Sequence, residues 1–416
     1  MGPITLFDKS FLQSLTLDES VWFDHFFLAV VSPFFYVETL ADLDKNLSGV
    51  RTPEQEVRII ADKFPDMHGT PCAFHVGLAL ANLGGNPVPM EGRIVMSGGR
   101  VVKEGDRTGV VFEETPESKA FSRWHAGEFL QIERQFASEW RRSLSSLPLD
   151  DIGRNLAAIG IRGESSRTLA EAKAVADAAV NDSAKSQQLI ELALHFLGAP
   201  PQGYTLVLSS WKLAGSPPLV SYAPYAAFVL TVEIFFQVAL SAGLISRARP
   251  SNRIDIAYLF YLPFCMVFVS CDRLHARSAR HFLRTNQEFV WGLDLKGDLA
   301  KLNEHFSDLP DETKEKGVIS FAGTPPKEGD YLVARLWDRH LRPWRDRHDG
   351  PPRMSPEGEA NLIERLIQIT KSPELPPEQI DFDVRDPDTL VVQRLVRKRK
   401  GSWWQVPKDL PDETPK

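Results

Sequence analysis

Two short apolar runs, each closed by an acid, limit what this chain can become. Residues 4–8 (ITLFD) and 266–270 (MVFVS, followed by Cys271 and Asp272) lack the polar alternation of a half-exposed strand. Strands apolar throughout are buried on both faces, as the central strands of parallel sheets are. The two runs therefore predict an α/β fold with a central, mostly parallel sheet. In open sheets of this kind ligands collect beyond the carboxyl ends of the strands, which is where Asp8 and Asp272 fall.

The segments between them read mainly as helices. Phe11, Leu12 and Leu15 follow the first strand, and a second helix begins near Asp18 with Val21, Trp22, Phe26 and Phe27 toward one face. Pro33 opens a third, carrying Glu38 and Asp42 at i and i+4 on a shared face. From about 50 to 110 the chain turns to Gly, Pro and short alternating runs, which predict loops and a hairpin between Ile94 and Val102. Residues 118–145 have helical spacing through Phe121, Trp124, Phe129, Ile132, Phe136 and Trp140, and further helices are expected near 167–182 and 186–197. Residues 218–246 read as a buried helix rather than a membrane span, since Glu233 near its middle would be costly in lipid. Residues 255–261 (DIAYLFY) form another helix. Beyond about 305, Pro and charge increase, with a helix over 355–371 and a hairpin within 389–407.

This divides the chain into a core of residues 1–48 and 216–300, a mostly helical insertion with a small hairpin over 49–215, and a C-terminal α+β appendage over 305–416. A chain of 416 residues that is 43% hydrophobic can support such a core with added modules. Its formal charge of −7 argues against coating nucleic acid by bulk charge but leaves room for a local basic strip. Cys72, Cys265 and Cys271 form no CxxC pair, and 1–12 has no secretory signal pattern, so a reducing cytoplasm is the expected setting. Cys72 and His75 have CxxH spacing without a second pair, which does not make a zinc site.

Four acids in apolar frames carry the chemistry: Asp8, Glu38, Asp255 and Asp272. Gathered around one cleft, hard carboxylate oxygens can hold Mg²⁺ or Mn²⁺ beside a phosphate, and such ions activate water for in-line attack. Taken singly, each has a plainer role: Asp8 and Asp255 as helix caps, Glu38 as a solvated helix residue.

In order and interval the four resemble the PIN-domain nuclease pattern. Asp8 ends a strand with Ser10 two positions on, Glu38 lies on a helix about thirty residues later, and Asp255 starts a helix followed by a strand leading into Ser-Cys-Asp272. The resemblance covers residues 1–45 and about 220–290 and implies a three-layer PIN-like core. It implies Asp8 and Asp272 as main metal ligands, with Glu38 and Asp255 ligating directly or through water. Ser10 would bond a ligand carboxylate, and Asp42 would add a further charge. The implied activity is a Mg²⁺- or Mn²⁺-dependent nuclease, RNA favoured over DNA, leaving 5′-phosphate and 3′-hydroxyl ends. The long interval between Glu38 and Asp255 departs from a minimal domain of this family and requires an insertion at a surface loop.

Arg273, His275, Arg277 and Arg280, just after Asp272, are the expected substrate contacts, since a strand approaching carboxylates needs positive charge. Two further basic stretches, 334–348 with Trp337 and Trp344 and 394–408 with Trp403 and Trp404, have the interleaving of a base-stacking surface or of an ordinary charged edge. Expected partners are a nucleic acid and a protein regulator or inhibitor, without a membrane. The competing reading is a scaffold that binds nucleic acid or protein on the same fold without cleaving.

Overall fold

The structure is a computed structural model that describes residues 2–45, 51–105, 107–145, 160–161, 165–346, 355–379 and 389–410. Its centre is a five-stranded, all-parallel sheet. In chain order the strands of the molecule are β1 (Ile4–Phe7), β2 (Leu28–Val31), β3 (Thr70–Pro71), β4 (Arg100–Glu104), β5 (Arg107–Phe112), β6 (Val267–Ser270), β7 (Glu288–Trp291), β8 (Thr389–Val392), β9 (Arg399–Lys400) and β10 (Trp403–Trp404). The parallel sheet runs β3-β2-β1-β6-β7. The chain winds outward from β1 to β3, then returns to the other side of β1 and winds outward again. The direction of winding reverses between β1 and β6, the position where doubly wound sheets leave a crevice.

Both apolar runs are central strands, with β1 paired to β2 on one side and β6 on the other. Side chains leave a strand on alternate faces. Leu6, Val30 and Phe268 enter one core, while Phe7, Ala29, Val31, Val267 and Val269 enter a second. Helices cover both faces, giving three layers. One core receives Leu169–Val180, Ser186–Phe196 and Pro224–Ser241; the other receives Lys9–Ser14, Leu17–Phe26, Gly292–Ser307 and Leu332–His340.

Local chemistry sets the helix ends. Thr16 and Glu19 form a reciprocal capping box for Leu17–Phe26, and Ser32 caps Pro33–Ala41. The expected single helix over 118–145 is two, Pro116–Ala126 and Gln131–Ser145, because Gly127 takes a left-handed conformation (φ 82°) and stops the first. The 218–246 segment is likewise split before Pro224. Pro224–Ser241 has the length and apolarity to cross a membrane, yet 83% of it is buried within the protein, and Glu233 is ion-paired there with Arg253. Residues 255–261 are not one helix: Asn252–Ala257 is α-helical and Tyr258–Phe264 is a 3₁₀ helix.

The hairpin expected at Ile94–Val102 lies later, as β4 and β5 turning at Gly105. The C-terminal region is tied to the rest of the molecule. β8 is not half of a hairpin but joins β5 in parallel, completing a three-stranded sheet, whereas β9 and β10 do form one. Trp403 is buried against Trp22, ring centroids 4.7 Å apart, and both indole N–H groups donate to Asn303 Oδ1.

Candidate functional site

Asp8 follows β1 directly and caps Lys9–Ser14, its Oδ1 accepting from the Phe11 N–H at 3.0 Å. Asp272 follows β6 with one residue between and caps Arg273–Ser278, accepting from the N–H groups of Leu274 (2.5 Å) and His275 (3.3 Å). The two acids thus stand at the carboxyl ends of adjacent strands, at the reversal of winding. Ser10 stitches these ends: its hydroxyl donates to Asp8 Oδ2 at 2.6 Å and accepts from the Cys271 N–H at 3.1 Å.

His275 is not a surface contact. Only 1% of its side chain is exposed, and it lies beneath the acids. Its Nε2 faces the Asp255 carbonyl at 2.6 Å, which can only accept. Its Nδ1 lies 2.8 Å from Ser270 Oγ and 3.4 Å from Asp8 Oδ2. Ser270 has one hydroxyl proton, and Asp8 Oδ2 at 2.9 Å receives it. Both ring nitrogens must then donate, which makes the ring an imidazolium. Burial alone would depress its pKa, but the hydrogen bond and charge of Asp8, with the charges of Asp255 and Asp272, outweigh burial and raise it to about 9. Burial likewise disfavours ionised Asp8, yet His275, Ser10 and the Phe11 N–H bring its pKa below the ordinary value.

Glu38 and Asp255 complete the group from other elements. Glu38, on Pro33–Ala41, accepts from the Tyr258 hydroxyl at 2.6 Å. Burial raises its pKa, and the charge of Asp8 adds to this against Lys9. Asp255 lies in the first turn of Asn252–Ala257 rather than at its cap, which is Ser251. Burial, with the charges of Glu38, Asp272 and Asp8, pushes its carboxyl up to about 7 against the pull of His275. The shifts of Glu38 and Asp255 mark them as electrostatic neighbours of the other acids. Asp42 is one step removed, ion-paired to Lys9 at 3.0 Å, while Lys9 also donates to the Glu38 carbonyl at 3.1 Å.

Of the expected substrate contacts, Arg273, Arg277 and Arg280 are exposed on the segment that Asp272 caps. Of the tryptophans in the two basic stretches, Trp404 alone is half-buried, with Arg399 and Lys408 over its ring, and the other three are not available for stacking. Trp337, Trp344 and Trp403 are buried, and Trp337 Nε1 donates to the Phe26 carbonyl at 3.0 Å. Arg397 pairs with Asp66 at 2.6 Å, and Lys400 is buried beside it. His75 stacks on Phe260 at 4.6 Å, burial lowering its pKa to about 3 and raising that of the Cys72 thiol to about 12.

The sequence reasoning missed Ser270, Tyr258 and Lys9 and misplaced His275. Ser270 was within reach as the last residue of a central strand, and Tyr258 as the residue three positions after Asp255. Comparison with known proteins finds no matching family model, no curated relative and no similar solved structure.

In kind, the donor set suits a hard divalent cation: four carboxylates, two with raised proton affinity, and no hydrogen-bond donor on the Asp255 side chain among the described residues. No three His, Cys, Asp or Glu side chains among the described residues stand ready in a metal-holding arrangement.

Proposed function

We propose that the protein is a Mg²⁺- or Mn²⁺-dependent, PIN-like nuclease that hydrolyses phosphodiester bonds, with RNA favoured over DNA. The observation that carries this reading is the convergence of Asp8 and Asp272 at the carboxyl ends of the adjacent strands β1 and β6, linked through Ser10, Ser270 and His275, with Glu38 bonded to Tyr258 and the Asp255 carbonyl bonded to His275. Acids from four distant segments gain nothing in stability from mutual repulsion, so their gathering points to a cationic ligand. When bound, a divalent ion supplies a water of lowered pKa and offsets charge on the phosphate oxygens.

The chain's own residues do the rest. Glu38, Asp255 and Asp272 are less buried than Asp8, Glu38 is held in place by Tyr258, and Asp8 is fixed from below by Ser10, Ser270 and His275. A carboxyl that titrates near neutrality, as Asp255 does, is suited to accept a proton from water. Arg273, Arg277 and Arg280 supply positive charge for the phosphate backbone.

Asp272→Asn provides the decisive test, because Asn caps a helix as well as Asp does and the fold is retained. Cleavage of single-stranded RNA in Mn²⁺ should fall by about a hundredfold or more, and EDTA should abolish it in the parent protein. A fully active Asp272→Asn protein ends the proposal.

A second reading, a PIN-like scaffold without cleavage, is favoured by one observation: the His275 imidazolium already balances Asp8 from within. Mn²⁺ titration by calorimetry separates the two. The scaffold requires that no Mn²⁺ site be lost in Asp8→Asn.

A further inference from the structure

Beyond the acids, a cavity of about 210 Å³ opens where the inserted helix Leu169–Val180 meets the segment after Asp272. A cavity of about 150 Å³ admits a benzene ring, so this one has space for a larger ligand. Its wall brings together Lys173 and Asp177 from the insertion, Thr231 from Pro224–Ser241, and His281, Phe282 and Arg284 from the stretch following Arg273–Ser278.

The polar groups here are incompletely used. His281 Nε2 is buried without a hydrogen-bond partner, and burial together with the Arg280 and Lys173 charges holds the ring's pKa below its ordinary value. A buried nitrogen left unmatched is unfavourable, and a ligand oxygen would satisfy it. Arg284 uses Nη1 on the Met90 carbonyl and Nε on Gln287 Oε1, leaving Nη2 without a partner among the described residues. Lys173 sits with its ammonium 4.8 Å from the centre of the Phe282 ring and bonds both oxygens of Asp177 at 2.6 Å. Arg284 at the exposed rim and Lys173, with an imidazole, leave a net positive charge after Asp177 is counted and suit a phosphate, and the partly exposed Asp177 carboxylate suits the hydroxyls of a sugar.

We propose that this cavity binds a phosphorylated sugar, carried either on the end of a nucleic-acid strand or by a free nucleotide. The strand-end source rests on the nuclease reading; the cavity does not. His281 lies nine residues beyond Asp272 along a helix and a 3₁₀ turn, roughly 15 Å of chain. A strand end held there would run back along Arg280, Arg277 and Arg273 to the acids, giving the insertion a role in placing the substrate.

The test uses the full chain in EDTA, with ribose 5-phosphate and 5′-AMP as probes in calorimetry. Both should bind saturably. Lys173→Met, which keeps the apolar stem, and His281→Leu should each weaken binding about tenfold, while Lys173→Arg should preserve it. Absence of saturable binding by either probe, or binding unchanged in both weakening variants, overturns the proposal. A 5′-phosphorylated oligoribonucleotide binding more tightly than its 5′-hydroxyl counterpart identifies the strand end as the source. Equal binding of the two, with 5′-AMP still bound, identifies the free nucleotide. Asp272→Asn should bind both probes normally, so loss of the nuclease reading and loss of this one give different results.

Discussion

The molecule buries charge in two places and treats it oppositely. In the C-terminal clasp, Asp24 and Asp66 meet Lys400, Arg397 and Arg394, and nearly every bonding position is filled. Asp24 accepts from the N–H groups of Met67 and His68, Arg397 donates to Asp66, and Lys400 donates to the Phe64 carbonyl at 2.8 Å. At the reversal of the sheet, four acids face one imidazolium, and Asp255 has no side-chain donor among the described residues. Cations match or outnumber acids in the first region; acids outnumber cations in the second. Saturated charge holds chain segments together, whereas unsaturated charge is available for a ligand.

Breaking the clasp should give the largest effect. Lys400→Met leaves Asp66 and Asp24 short of a buried counter-charge and should cost about 3–5 kcal/mol in urea unfolding, without changing cleavage per folded molecule. An equal loss of cleavage per folded molecule would erase the distinction between the two regions.

His275 should show a somewhat smaller, pH-dependent effect. With its pKa raised from 6.5 to about 9, it contributes stability that is fully present below pH 6.5 and lost as pH rises through 9, on the order of 3 kcal/mol. The groups facing it are Asp8, Glu38, Asp255, Asp272, Ser270 and Tyr258. Asp255 and Asp24, both near 7, have completed most of their own titration by the upper half of this window. Melting temperature should therefore fall between about pH 8 and pH 9 in the parent protein and stay nearly level over that interval in His275→Gln.

The smallest effect sharpens the site itself. On the proposed reading Asp255 ligates only after losing a proton near pH 7, so Mn²⁺ affinity should rise about tenfold between about pH 6 and pH 8. Calorimetric titration of Asp255→Asn across that range should show weaker binding and little pH dependence.

Continuous apolar strands are legible because burial on both faces leaves no polar position, so β1 and β6 fall within a residue of where the sequence puts them. The helix start at Pro33 is legible because proline suits the first helical position. Long-range pairing is not. Nothing in 389–392 indicates that it will join β5 in parallel, and Trp337 or Trp403 beside arginines has the pattern of a stacking surface until Phe26 and Trp22 are brought against them. His275 shows the same limit: its spacing places it among exposed arginines, and only the approach of Asp8 makes a buried cation favourable.

The seat shared by Trp22, Asn303 and Trp403 also bears on timing. Residues 397–405 fill positions beside the very first helices, so during synthesis those positions stay open until nearly all of the described chain has been made. Leu17–Phe26 can form early, but the face that carries Trp22 closes late. The seat at Trp22 is thus held incomplete by the order of the chain's own production.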